Sequence, residues 1–247
     1  MTLAFRAPSS ETVQQILRAR LSAAGIDAQV SSGDATLTIM APRAARADVM
    51  ALTAPGRFAV YDWERSVLGP DGRPAPTDAS VTGDPGAGQQ GGLTEAEARS
   101  RAGQRPGAHA FHGEGGWFAL GGDPALTNAD VANAQAVEDP VDGSPTVAIG
   151  LTADGRNAFR TLTRELAQRG ADNALGGDPL ETSQHFALAV DGRIVSTPYV
   201  NWREAPDGID GATGTQLSGL SSPEQARLTA ALLSAGPLPA PLEPVNP

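Results

Sequence analysis

The chain has 247 residues, 40% of them hydrophobic but only 4% aromatic, so its core is built from Ala, Leu and Val with few large anchors. A formal charge of −10, with 18 scattered arginines and no lysine, leaves no basic face for nucleic acid. Cysteine is absent, which excludes disulfide scaffolds and thiolate metal sites.

In chain order, Leu3–Arg6 is a candidate first strand. Ser9–Ala24 reads as an amphipathic helix with Val13, Ile16, Leu17 and Leu21 on one face, capped by Ser9 or Ser10 and ended by Gly25. Asp27–Val30 and Thr36–Met40 read as strands, Ala44–Leu52 as a second helix, and Arg57–Trp63 as the strand that closes a split βαβ unit. Val67–Gly92 is rich in Gly, Pro, Asp and Ser and reads as a long surface loop. Thr94–Ala102 carries a capping box from Thr94 to Glu97, and Trp117–Leu120 is a short strand beyond another Gly-rich loop. Thr146–Leu151 is a strand. Thr152 caps a helix to about Arg169, with Phe159, Leu162 and Leu166 on its buried face, and 171–183 is a loop. His185–Val190 and Arg193–Val200 form a hairpin through Asp191-Gly192. After a 201–214 loop come a strand at Thr215–Leu220 and a final helix opened by Ser222, Pro223 and Gln225. Its apolar stripe is Leu228, Leu232 and Leu233. Gly236 and the run Pro237–Leu242 then read as a helix stop and a stiff strap leading the chain away. Mixed helices and hairpins predict an α+β fold with antiparallel sheets.

Chemical motifs are weak. His109, His112 and Glu114 are candidate metal ligands by residue type, but in a loop nothing fixes them. Gly86, Gly88 and Gly91 match a dinucleotide fingerprint only literally, because no buried strand precedes them. Asp139, Asp142 and Gly143, like Asp207, Asp210 and Gly211, lack the ligand series of a calcium loop and read as turns. No set of residues supports catalysis, and neither a cofactor nor an enzymatic activity is expected. No run approaches the roughly 18 apolar residues of a membrane helix.

Three segments in order point to a family. LTADGRNAF at Leu151–Phe159 opens a helix after a strand; LAVDGRIVSTPYV at Leu188–Val200 is the Asp-Gly hairpin; Thr215–Leu242 joins a strand, a capped helix and the LPAPL run. Together they resemble SecD, the family of protein-export membrane proteins that assist the bacterial Sec translocase. ALTNAD at Ala125–Asp130 is similar to the turn that opens the head of its first large extracytoplasmic domain. RARLSAAGI at Arg18–Ile26 and Leu37–Pro42 resemble its first helix and following strand. The resemblance implies a ferredoxin-like base over 1–118, interrupted by the 67–92 loop, a smaller inserted α+β head over 119–220, and a helix and strap over 221–247 returning to the base. It implies a place on the extracytoplasmic side of the cell membrane, attached through helices outside this chain, with SecF-like and Sec channel subunits as partners. The head of that family holds emerging unfolded polypeptide and swings, driven by proton flow through membrane parts that have no counterpart here. On this reading Tyr199, Trp202 and Phe186 are candidate polypeptide contacts, although Phe186, Leu188 and Ile194 also suit a core beneath the hairpin. Trp117, Pro124, Gly214 and Ser221 are candidate hinges. The alternative is a stand-alone envelope binding module using the HAFHGE segment.

Overall fold

The computed structural model describes residues 1–6, 11–33, 36–75, 92–174 and 179–245. The glycines of the dinucleotide-like run, the candidate caps Ser9 and Ser10, and most of the 67–92 loop lie outside these. The strands are β1 Thr2–Arg6, β2 Gln29–Ser32, β3 Thr36–Met40, β4 Phe58–Asp62, β5 His109–Gly113, β6 Gly116–Leu120 and β7 Leu126–Thr127. They continue as β8 Val131–Glu138, β9 Pro145–Leu151, β10 Gln184–Val190, β11 Arg193–Ser196, β12 Tyr199–Val200, β13 Thr215–Leu217 and β14 Glu243–Pro244. The helices are α1 Glu11–Ala23, α2 Arg46–Leu52, α3 Trp63–Ser66, α4 Glu95–Ala102, α5 Ala153–Asn173, α6 Pro179–Thr182 and α7 Pro223–Ala235.

Two compact units share the chain. Unit 1 is Met1–Arg57, Val131–Gly150 and Thr215–Pro247; unit 2 is Phe58–Asp130 and Leu151–Gly214. The chain therefore changes unit at 57/58, 130/131, 150/151 and 214/215, not at the 118/119 and 220/221 boundaries expected from sequence.

In unit 1 an antiparallel sheet has the order β14-β1-β3-β2. Leu3 lies opposite Ile39 and Phe5 opposite Leu37, so strand alternation puts all four on the buried face. Val13, Leu17 and Leu21 of α1 and Val49 and Leu52 of α2 join them in one core. Fully burying each such side chain is worth roughly 1.5–3 kcal/mol. The strand order is compatible with a ferredoxin-like base, but its closing strand is not the one expected. The place beside β1 is taken by β14, with Phe5 opposite Pro244, while Phe58–Asp62 belongs to unit 2. The strap differs from the proline-based expectation that it leads the chain away. Over residues 236–244 it does not lead away: Leu238 and Leu242 are buried in the unit 1 core, and the Leu238 N–H donates to Pro55 O at 2.8 Å. Alternating prolines hold it extended, and its leucines find an apolar surface to lie on.

The second sheet of unit 1 has the order β13-β9-β8. Ser234 of α7 accepts from the Ala134 N–H at 3.0 Å and donates to Ala134 O at 2.8 Å. One hydroxyl thus takes both main-chain groups of a residue on edge strand β8, which blunts that edge.

Unit 2 is built on a sheet of order β6-β5-β11-β10-β4-β7, with β12 pairing the start of β10. All the pairs are antiparallel except β11 with β5. Asp191 (φ 50°) and Gly192 (φ 78°) supply the two left-handed residues of the β10–β11 turn. Central strand β10 is buried from His185 to Ala189. Ala187 and Ala189 meet Tyr61, Phe111 and Phe118 on one face. On the other, Phe186 lies edge-on to Phe159 of α5, with ring centroids 5.5 Å apart. Thr152 caps α5 by accepting from the Gly155 N–H. That helix runs past the expected Arg169 to Asn173, and α6 occupies part of the expected 171–183 loop.

Two loop expectations are corrected here. His109–Gly113 is a strand, because its Phe111 packs into the cluster around Tyr61 and its backbone pairs with β6 on one side and β11 on the other. Val67 and Leu68 open the supposed surface loop but are buried, bridging to Leu120 and Pro74 respectively.

Candidate functional site

The hairpin end of unit 2 carries the aromatic residues expected to contact polypeptide, and the structure separates their roles. Phe186 is only 3% exposed, and Leu188 and Ile194 are buried too, so these three are core residues and offer no contact surface. Tyr199 is 48% exposed at β12, its ring edge-on to His185. Trp202 is half-buried. Its indole N–H donates to Thr182 Oγ1 at 3.1 Å, and the Arg203 guanidinium lies 4.9 Å above the ring. Gly170 of α5 makes room for it, since a Cβ there would sit 2.8 Å from Trp202 Cδ1. Tyr199 and Trp202 are therefore the two candidates that keep exposed aromatic area, Trp202 beside Gly170 near the end of α5.

Beneath this surface lie two side-chain pairs that sequence reasoning missed. Glu64 accepts from the backbone N–H of His185 at 2.9 and 3.1 Å and meets His185 Nδ1 at 2.8 Å. A carboxylate acceptor requires the proton to be on Nδ1. The side chains are 3% and 11% exposed, so this is a buried junction of α3 and β10. Nearby, Arg169 Nη2 of α5 lies 2.8 Å from both oxygens of Asp62, whose carboxylate also accepts from the Arg65 N–H and caps α3.

Burial pushes the Asp62 carboxyl above its ordinary range, and Arg169 offsets this only in part. A carboxyl with a raised folded pKa stabilises the fold below its unfolded pKa, and loses that contribution as pH rises through the folded value. The stability of wild type minus that of Asp62→Asn should therefore fall as pH increases from about 4. Urea titrations of both proteins across pH 4–7, followed by tryptophan fluorescence, check the sign; a difference that rises with pH would contradict it. All three tryptophans, Trp63, Trp117 and Trp202, lie in unit 2, so the signal reports that unit.

The remaining candidates disperse. His109 and His112 are both exposed on β5, and their odd spacing sends them to opposite faces. His112 packs edge-on to Trp117. Among the described residues no group of three or more His, Asp or Glu side chains is placed to hold a metal ion. The two aspartate motifs act as turns: Asp139 and Asp142 accept from Val141 N–H and Ser144 N–H, and Asp210 accepts from Ala212 N–H. Of the hinge candidates, Trp117 lies in β6 and Pro124 between β6 and β7, both inside unit 2. Gly214 sits at a change of unit, and Ser221 just before the Ser222 cap of α7 in unit 1. No helix among the described residues is long and apolar enough to cross a membrane.

Unit 2 also contains a cavity of about 590 Å³ lined by one flank of α5, by Gly121–Asp123 after β6, and by Asp62, Arg65, Ser66 and Arg105.

Comparison with known proteins converges on one family. The chain is 33% identical over 122 residues to the protein translocase subunit SecDF of Thermus thermophilus, a match covering 49% of this chain and 14% of that protein. It is 28% identical over 130 residues to the protein translocase subunit SecD of Elusimicrobium minutum, covering 53% and 23%. The chain thus spans less than a quarter of either relative. The fold matches a crystal structure of SecDF in a super-membrane-facing form over 99% of this chain and 29% of that one, with TM-score 0.62 and 20% identity. It also matches a structure of a SecDF membrane component described as enhancing protein export, over 100% of this chain and 99% of the other, with TM-score 0.59 and 21% identity. Both structural likenesses extend to the α+β fold. The model of the family described as SecDF, P1 head subdomain, matches residues 106–240, more than half of the chain, and the chain belongs to that family.

Proposed function

We propose that this chain is the extracytoplasmic P1 domain of a SecD-like subunit of a protein translocase, and that it holds unfolded polypeptide transiently during export. The observation that carries this reading is the family match over residues 106–240, supported by a fold shared over the full length of a solved SecDF component. The domain works without covalent chemistry and without cofactor. Its partners are the secretory polypeptide, SecF-like and Sec channel subunits, and the membrane, reached through helices outside this chain. Tyr199 and Trp202 contact the client: large rigid aromatics bury apolar area at small entropic cost, which suits sequence-tolerant binding. The domain swings during the cycle, with Gly214 among the residues that absorb the change.

The test uses 5-fluorotryptophan-labelled protein and a reduced, unfolded secretory polypeptide. The Trp202 resonance, assigned with Trp202→Phe, should shift saturably, and Tyr199→Ala should weaken binding severalfold. An unmoved Trp202 signal at high polypeptide concentration would sink the aromatic surface as a client site.

A further inference from the structure

The cavity beside α5 has a chemistry of its own. Asn157, Thr161 and Glu165 recur every four residues, so they form one stripe along α5. Eight residues of helix span about 12 Å, the length of three to four residues of extended chain at about 3.3 Å each. Ala125, Ala158 and Leu162 contribute apolar lining, and Gly121 and Gly122 contribute main chain. A Cβ on Gly121 would lie 3.1 Å from Arg105 Cδ and 3.0 Å from Leu68 Cδ2, so the glycine lets Arg105 lie flat against the backbone.

Charge balance narrows what fits. Asp62 is occupied by Arg169 at 2.8 Å, and Glu165 by Arg65 at 3.1 Å. Among the described residues, Arg105 and Asp123 line the cavity without an ion-pair partner, one of each sign. The Asn157 amide and Thr161 hydroxyl, both on the exposed flank, make no hydrogen bond to protein groups among the described residues. With Asp62, Asp123 and Glu165 against Arg65 and Arg105 in the lining, an anionic ligand would meet at least as much fixed negative as positive charge. A neutral group that both donates and accepts meets no such conflict, and a peptide amide is such a group, as is the Asn side chain facing it.

We propose that this cavity seats three to four residues of an extended polypeptide and recognises backbone amides through Asn157 and Thr161, whatever the side-chain order. The proposal rests on the polypeptide-holding reading and assigns it a second contact, separate from the Tyr199–Trp202 surface.

The probe is a 12-residue end-capped, uncharged peptide of Ser, Ala, Val and Gln, labelled for fluorescence anisotropy and titrated with the full chain. Scrambling its order should leave Kd within about twofold, because amides are independent of sequence. Methylating alternate backbone nitrogens should raise Kd at least about tenfold, the effect of roughly 1.4 kcal/mol in lost hydrogen bonds. Thr161→Arg, which fills the cavity from an exposed helical position, should do the same, whereas Thr161→Ser keeps binding. If the parent peptide binds and either the methylated peptide or Thr161→Arg binds equally well, the cavity is not the seat and polypeptide holding survives elsewhere. If no peptide binds the wild-type chain, both readings fall together.

Discussion

Replacing Arg20 with Met is expected to lower the stability of unit 1 by about 3–5 kcal/mol. Arg20 is fully buried, and its guanidinium donates to four main-chain carbonyls: Leu52 O, Ala54 O, Pro55 O and Gly236 O. These belong to the end of α2, the turn that follows it, and the exit of α7, so one side chain ties three segments to α1. Met preserves much of the apolar stem but leaves carbonyls buried without donors, and each such orphan costs about 1–3 kcal/mol. Lys should recover only part of the loss, because one ammonium cannot present a planar fork to four acceptors. Gly56 belongs to the same arrangement. Its φ is 74°, and a Cβ there would collide with the Arg20 guanidinium. Amide exchange of α1 and of Leu238 should accelerate in Arg20→Met. The control is Arg6→Ala, which breaks an ion pair to Glu243 between side chains 75% and 72% exposed and should cost well under about 1 kcal/mol. Equal effects of the two substitutions would refute the role given to Arg20.

Glu64→Ala is expected to destabilise unit 2 by about 2–4 kcal/mol, because it strands two buried donors at once. The His185 backbone N–H and its Nδ1–H both point at this carboxylate. At 3% side-chain exposure, His185 has little access to replacement water. Glu64→Gln keeps one good acceptor and should retain roughly half of the contribution. The readout is urea unfolding followed by tryptophan fluorescence. Since His185 also lies against Tyr199, the NMR signals of Tyr199 should broaden or shift in Glu64→Ala, which a loss of stability elsewhere in the chain would not produce. An unchanged midpoint together with unchanged Tyr199 signals would show that the junction is unimportant.

The helices and the main hairpin were legible because their signals are local. The Thr94–Glu97 capping box is present with both of its hydrogen bonds. Thr152 and Ser222 cap α5 and α7, and Asp191-Gly192 turns β10 into β11. Arg20 also left a trace: it falls in phase with Val13, Leu17 and Leu21 on the buried stripe of α1. An arginine in such a stripe must find acceptors, but which carbonyls it finds depends on segments up to 216 positions away. The two side-chain pairs beneath the hairpin left no trace, because Glu64 and His185 stand 121 positions apart and Asp62 and Arg169 stand 107 apart. The composition of the HAFHG segment favours a loop over a strand, with histidines and a glycine around one phenylalanine. Pairing on both sides overrides that preference.

The α+β class and the positions of most helices followed from the amino-acid sequence itself, since caps, apolar stripes and turn residues act within a few positions of one another. Strand partnership did not. Phe58–Asp62 suits any sheet with apolar faces, and only packing against β10 and β7 assigns it to unit 2. Glu243–Pro244 has no strand signature, yet it completes the unit 1 sheet beside β1 because the strap before it is anchored by Leu238 and Leu242. The same holds for candidate sites. The sequence could nominate Tyr199, Trp202 and Phe186 together, but burial is a property of the assembled core, and it kept the first two at the surface and withdrew the third.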